Sequence, residues 1–243
     1  MIIVISRPEL ADVRLSYGEV ALMTALLDQG LELLHVRKPA ADFAALTSLI
    51  DQFKMEDRPK IVLHPPKDLL GDPDTEGRLG QLLQWMEQMG LYRLHIPGWL
   101  RVQAAEALLS SLRSVEHRMA FSTGIHTPAE LDALSQNRKS SLRYDYVLVS
   151  PLFDSLSKRG YKANPALWRV VRENKNPHGC RRIAMGGIQA KSLPAIRNAG
   201  FDGAALLGAV WRSLDVDKPS AWEKKITGYF KICSGIWKNM GIR

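Results

Sequence analysis

Four histidines stand at the ends of short apolar runs, and they are the residues in this chain best suited to moving protons. His35, His64, His95 and His126 lie at or just beyond LELLHVR (31–37), KIVLHP (60–65), YRLHIP (92–97) and RMAFSTG (118–124). An imidazole titrates near pH 6.5, so it can give or take a proton close to neutrality. A metal cluster is one reading of the four, and it is the weaker one, because no HxH or HExxH spacing occurs and few carboxylates accompany them. His95 is expected to be a packed residue and one of the others to carry proton transfer.

A second set suits an oxyanion. Arg37 has the same parity as His35, so in an extended strand both face one side. A guanidinium there can grip a phosphate with two parallel bonds. Lys38 follows it directly. The stretch SPLFDSLSKRGY (150–161) brings Ser155, Ser157 and Lys158, two hydroxyls and an ammonium. Two other runs end in glycine, at Gly186-Gly187 in IAMGGIQ and at Leu207-Gly208 in GAALLG. Glycine lets backbone N–H groups approach an anion closely, so the pair is read as a place where phosphate sits against bare backbone. A tight turn with no ligand is the alternative.

These residues need a scaffold that gathers run ends. Eight apolar, β-branched runs recur along the chain: 1–6, 31–37, 60–65, 92–97, 118–124, 145–151, 181–187 and 201–208. Helical periodicity fills the gaps, as in EVALMTALLDQG (19–30), DFAALTSLIDQF (42–53), GRLGQLLQWMEQMG (77–90) and KSLPAIRNAG (191–200), several closing on glycine. Strands alternating with helices imply parallel pairing through right-handed crossovers. Eight such units in 243 residues predict a single TIM (β/α)8 barrel, α/β in class, over 1–217 with a basic helical tail at 218–243. The barrel's site forms at the C-terminal ends of its strands, where the residues above lie. An open doubly wound sheet is the rival. It would use fewer strands, and the first turn shows no GxGxxG.

Bulk properties narrow the rest. The net charge is +8, and residues 218–243 hold six Lys or Arg against one acid, so the remainder carries only +3. The tail is read as a solvated final helix anchored by Trp222, Tyr229, Phe230 and Ile236, in preference to a nucleic-acid or membrane contact. Two cysteines make no disulfide framework, and no run spans a membrane, so the cytoplasm is expected.

In order, the motifs resemble the thiamine phosphate synthases and their TenI-type relatives, the thiazole tautomerases, over most of 1–212. LLHVRKP is similar to a strand-two motif with a ligand-binding Arg, LHIPG to a strand-four HLG, and STGIHT to a Ser-x-His motif after strand five. DYVLVSPLFDSLSK is similar to DYxxxGPxxxTxTK, with Ser155 and Ser157 for the two Thr, and AMGGI and GAALLGAV fit phosphate-binding strand ends. The departures fall on one half of the site. The resemblance implies an Asn-Asp-Arg motif for Mg²⁺ and pyrophosphate, where this chain has VLHPPKD with His64 and Pro65. It implies a second Asp where Trp99 and Leu100 stand, and a strand-two Lys where Pro39 stands, with Lys38 one position early. Asp68 or Asp72 could substitute from the following loop. Gly124 replaces a Ser.

The resemblance therefore implies a thiazole phosphate-binding enzyme of thiamine biosynthesis, read first as a tautomerase-like isomerase. His126 falls on the family's shuttle histidine, and His35 is the second catalytic candidate. No cofactor is needed for that reaction. The alternative is a Mg²⁺-dependent synthase that also takes aminopyrimidine pyrophosphate. A non-catalytic phosphate sensor is the reading from another class. A homodimer is compatible with each.

Overall fold

A strand forms at each of the eight runs, and all but β7, whose first two residues are open, are almost fully buried because helices cover the outside while side chains fill the lumen. The strands are β1 (Ile2–Ile5), β2 (Leu33–Arg37), β3 (Ile61–His64), β4 (Arg93–Ile96), β5 (Ala120–Ile125), β6 (Tyr146–Val149), β7 (Arg181–Ala184) and β8 (Gly203–Leu206). All pair in parallel with their chain neighbours. β8 returns to β1, with Ile2 opposite Ala204, and this closes the barrel. The computed structural model describes residues 1–8, 13–66, 70, 75–103, 106–136, 142–156, 160, 162–173, 180–212, 214 and 219–240.

The principal helices are α1 (Val13–Asp28), α2 (Phe43–Ile50), α3 (Thr75–Gln88), α4 (Gly98–Gln103), α5 (Glu106–Ser114), α6 (Pro128–Gln136), α7 (Pro165–Glu173), α8 (Leu193–Asn198), α9 (Gly208–Trp211) and α10 (Trp222–Asn239). Local chemistry sets their ends. Asp42 caps α2 by accepting from Ala45 N–H at 2.7 Å. Gly30, Gly90 and Gly200 follow α1, α3 and α8 with positive φ, as the glycine endings predicted.

Two apolar layers result. The lumen holds Ile3, Ile5, Leu33, Val62, Tyr146, Leu148, Ile183 and Ala205, and the larger cluster lies between strands and helices. Leu33 faces the lumen, so period two sends His35 and Arg37 the same way, as their parity predicted. The final helix, expected to pack on or extend the barrel, lies against its outer layer. Trp222, Ile226, Phe230, Cys233 and Trp237, spaced three or four apart, are buried in the outer cluster, and α10 lies against α1 and α8. Tyr229 and Ile236 are only partly buried. No described helix is long and apolar enough to cross a membrane.

Candidate active site

Barrel closure brings three of the strand-end histidines side by side. β2, β3 and β4 are neighbours, so inward residues at their upper ends share one wall of the lumen. His35 Nδ1 lies 2.7 Å from His64 Nε2, and His35 Nε2 lies 2.6 Å from the Tyr146 hydroxyl. His95 Nδ1 meets Ser122 Oγ at 3.0 Å, and the His64 and His95 rings stack with centroids 4.1 Å apart. Ser122 is the register partner of Tyr146 across β5 and β6. The five side chains form a ring of polar groups within an otherwise apolar lumen.

Burial dominates the electrostatics of this ring. It holds the His35 and His64 pKa values well below the usual imidazole range, and neighbouring imidazoles add to the effect, as does Arg37 at His64. His95 is pushed down to about 3, by burial first and then by His126 and Arg37. Burial likewise raises the Tyr146 phenol. The ring is therefore neutral at physiological pH. His35 is wholly buried with both ring nitrogens engaged, so it does not stand where a ligand would first arrive. A catalytic His35 would have to act through its contacts with His64 and Tyr146.

His126 is placed differently. It follows β5, is exposed, and its Nδ1 lies 3.1 Å from the Ser150 carbonyl oxygen and 3.3 Å from Ser150 Oγ. The carbonyl, the nearer partner, can only accept, so Nδ1 carries the proton and Nε2 is left with its lone pair. Gly124 makes room for this ring: a Cβ built there would lie 3.4 Å from His126 Nε2 and 4.0 Å from His95 Nε2. His126 thus folds back over the mouth above the buried ring.

The anion-binding candidates divide. Arg37 is half-buried beside His64, and its side chain makes no hydrogen bond or ion pair with the described residues. Lys38 is not a ligand contact of this kind. It is buried, pairs with Glu19 at 2.6 Å and donates to Arg7 O at 2.9 Å, because outward parity sends it away from the lumen. Ser155 is half-buried, and Ser157 and Lys158 lie outside the described residues, as do Asp68 and Asp72.

The glycine pair has a reason within the protein itself. Gly186 and Gly187 have φ of +94° and +65°, a region that penalises any side chain. A Cβ on Gly186 would lie 2.9 Å from Pro151 Cα, and one on Gly187 would collide with Asp154 O and lie 2.8 Å from Phe153 Cβ. The loop after β6 runs across the pair, held by Leu152 N–H to Met185 O and Phe153 N–H to Gly186 O, both 3.1 Å. The close approach expected of a phosphate is already made by this loop, which begins at the cis Ser150–Pro151 bond. The N–H groups of Gly186, Gly187 and Ile188 find no partner among the described residues. Leu207 and Gly208 are half-buried where β8 gives way to α9.

The family model described as thiamine monophosphate synthase matches residues 83–210. That is more than half of the chain. The chain belongs to the thiamine monophosphate synthase family. A curated relative, the thiamine-phosphate synthase of Staphylococcus haemolyticus, is 33% identical over 89 residues; the match covers 36% of this chain and 40% of that protein's length. Among solved structures, thiamine phosphate pyrophosphorylase from Bacteroides thetaiotaomicron is similar at 22% identity with a TM-score of 0.68, covering 100% of this chain and 99% of that one. The Pyrococcus furiosus thiamine phosphate pyrophosphorylase is similar at 14% identity and a TM-score of 0.62, covering 97% and 96%. At these identities the structural likeness speaks for the fold.

Among the described residues, one half of the mouth is poor in donors for Mg²⁺. Mg²⁺ takes oxygen ligands in octahedral geometry, commonly one or two carboxylates beside phosphate. In this half the described residues are His64, which ends β3, Pro65 and Pro66 after it, and Trp99 and Leu100 beyond β4, with Leu100 buried and Trp99 packed on the outer cluster. None offers a side-chain oxygen, so this donor set does not fit Mg²⁺. Sequence reasoning gave the grouping of His64 and His95 with His35 only as the weaker, metal-cluster reading and did not derive their contacts. The signal was available: equivalent positions on three consecutive strands of a closed barrel must be neighbours. Tyr146, near the start of a buried run, gave no such signal.

Proposed function

We propose that this protein is an enzyme of thiamine biosynthesis that isomerises a phosphorylated thiazole, with His126 as the proton shuttle. The carrying observation is the Ser150 carbonyl on His126 Nδ1, which leaves the Nε2 lone pair free as a base at the barrel mouth. In the reaction, Nε2 removes a proton from the thiazole tautomer and the imidazolium returns one at another ring position. Charge and atoms balance without a cofactor. Arg37 and the N–H groups of Gly186, Gly187 and Ile188, which have no partner among the described residues, would take the phosphate, with Leu207 and Gly208 at the adjacent strand end and Ser155 on the loop after β6; Ser157 and Lys158 are kept from the sequence reading. Lys38 is left out of this set.

A second reading, synthesis of thiamine phosphate from aminopyrimidine pyrophosphate and thiazole phosphate, draws support from the names of the relatives. That reaction loses pyrophosphate, and developing charge of this kind is usually met by a metal clamp. No step through Mg²⁺ is assigned here, because the described donors after β3 and β4 do not suit it. Assaying pure protein on both substrate sets, with and without Mg²⁺, separates the readings. Metal-independent isomerisation supports the first, and robust Mg²⁺-dependent thiamine phosphate formation supports the second. Binding without turnover of either set contradicts both and fits a sensor.

A further inference from the structure

We propose that His35, His64 and His95 form a binding site for a nitrogen-preferring divalent metal ion of the zinc, cobalt or nickel type, in the barrel lumen beneath the mouth. One ring nitrogen from each lies within 4.8 Å of the others. Tetrahedral zinc with Zn–N bonds of 2.0–2.1 Å holds its ligands about 3.3–3.4 Å apart, so small ring movements bring the three nitrogens onto one ion. The atoms are assigned by elimination. Tyr146 engages His35 Nε2 and Ser122 engages His95 Nδ1, which leaves His35 Nδ1 and His95 Nε2, and His64 offers Nε2, the nitrogen that already meets His35 Nδ1.

The hydroxyl contacts match what orients metal-binding imidazoles. Such a histidine almost always fixes its second ring nitrogen through a hydrogen bond, which sets both tautomer and ring direction. Here two of three have one from within the barrel. In the metal-free protein His35 and His64 share a proton across 2.7 Å. On binding, that proton moves to the outer nitrogen of its own ring, so three neutral imidazoles ligate and no net proton is lost. His64 is the partly exposed member, and it gives the ion a path from the mouth.

The donor set selects the ion and its fourth ligand. Among the described residues no carboxylate joins the group. Imidazole suits zinc, cobalt, nickel and copper, whereas magnesium and calcium prefer oxygen. The ion's charge is then uncompensated by protein and lies near Arg37, so the open position calls for an anion: hydroxide, or a carboxylate or phosphate of a bound ligand. Three histidines with one open position is the arrangement of a site that can polarise a bound ligand. This inference does not depend on the role of His126.

The test uses full-length protein stripped with chelator, then exposed separately to Zn²⁺, Co²⁺ and Mg²⁺ and desalted. We expect one Zn²⁺ or Co²⁺ per chain by elemental analysis, none with Mg²⁺, and a visible cobalt spectrum of low-coordinate nitrogen ligation. His64→Asn and His95→Asn should each weaken binding at least 100-fold, while His117→Ala on the surface should leave it unchanged. Tyr146→Phe removes only an orienting hydroxyl and should cost about 10- to 100-fold. Wild-type protein that melts cooperatively yet retains less than one tenth of an ion per chain would overturn the site. So would undiminished affinity in folded His64→Asn and His95→Asn, or loss of the site in His117→Ala.

Discussion

Lys38 Nζ stands 2.6 Å from Glu19 Oε2, and both side chains are 2% exposed. Glu19 also accepts from Arg7 N–H at 3.0 Å, so one carboxylate ties the end of β2 to α1 and to the loop after β1. Removing one member of a buried pair leaves an uncompensated charge and typically costs about 3–5 kcal/mol. Glu19→Ala should lose stability on that scale in denaturant titration. The double variant Glu19→Leu/Lys38→Met should recover most of it and bind thiazole phosphate as the parent does. A loss below about 1 kcal/mol, or loss of ligand by the folded double variant, would contradict the structural role of Lys38.

Gly187→Ala should destabilise the fold. Left-handed backbone costs a residue with a Cβ about 1–2 kcal/mol, and the added methyl meets Asp154 O and Phe153. Because the loop 151–154 must move, thermal unfolding should occur at a lower temperature and phosphate affinity should fall with it. An unchanged melting temperature alongside lost affinity would instead mean that the glycine serves the ligand alone.

The barrel was legible because its cause is local and repeated. Each strand run is apolar enough to be buried on both faces, and each carries a helical period behind it, as in LELLHVR followed by DFAALTSLIDQF. Parity within a run was legible too, which is why His35 and Arg37 fell on the expected face. Neighbour relations across runs were not used, so the contact of His35 with His64 and the stacking of His64 on His95 went unread. The pairing of Lys38 with Glu19 was not legible, because Glu19 sits in a helix whose register against β2 only tertiary packing fixes. The reason for Gly187 lay in a loop 33 positions earlier, at Asp154, and no local pattern reports such a crossing.

Acid should weaken the metal-free protein from an unusually high pH. In the folded state His35, His64 and His95 have lowered pKa values, His95 to about 3, while the unfolded chain protonates them near 6.5. Below 6.5 the unfolded state therefore binds more protons, so stability is present above that pH and declines as pH falls. Each such group adds a slope of about 1.4 kcal/mol per pH unit within its window. Denaturant midpoints in chelating buffer should drop steadily between pH 6.5 and 5, where carboxylates contribute little, and His64→Asn should flatten the slope. A midpoint that stays level across this interval would mean that the histidines are not buried neutral.

The isomerisation rate of His126→Asn tests the central claim most directly. Asparagine can still donate to the Ser150 carbonyl, but it has no titrating nitrogen to take a proton from the ring. General acid–base catalysis is typically worth about 10²- to 10⁴-fold, so kcat on the thiazole tautomer should fall by that factor while thiazole phosphate affinity stays near the parent value. Full activity in the folded variant, or an equal loss of affinity and rate, would contradict the assignment of His126 as the shuttle.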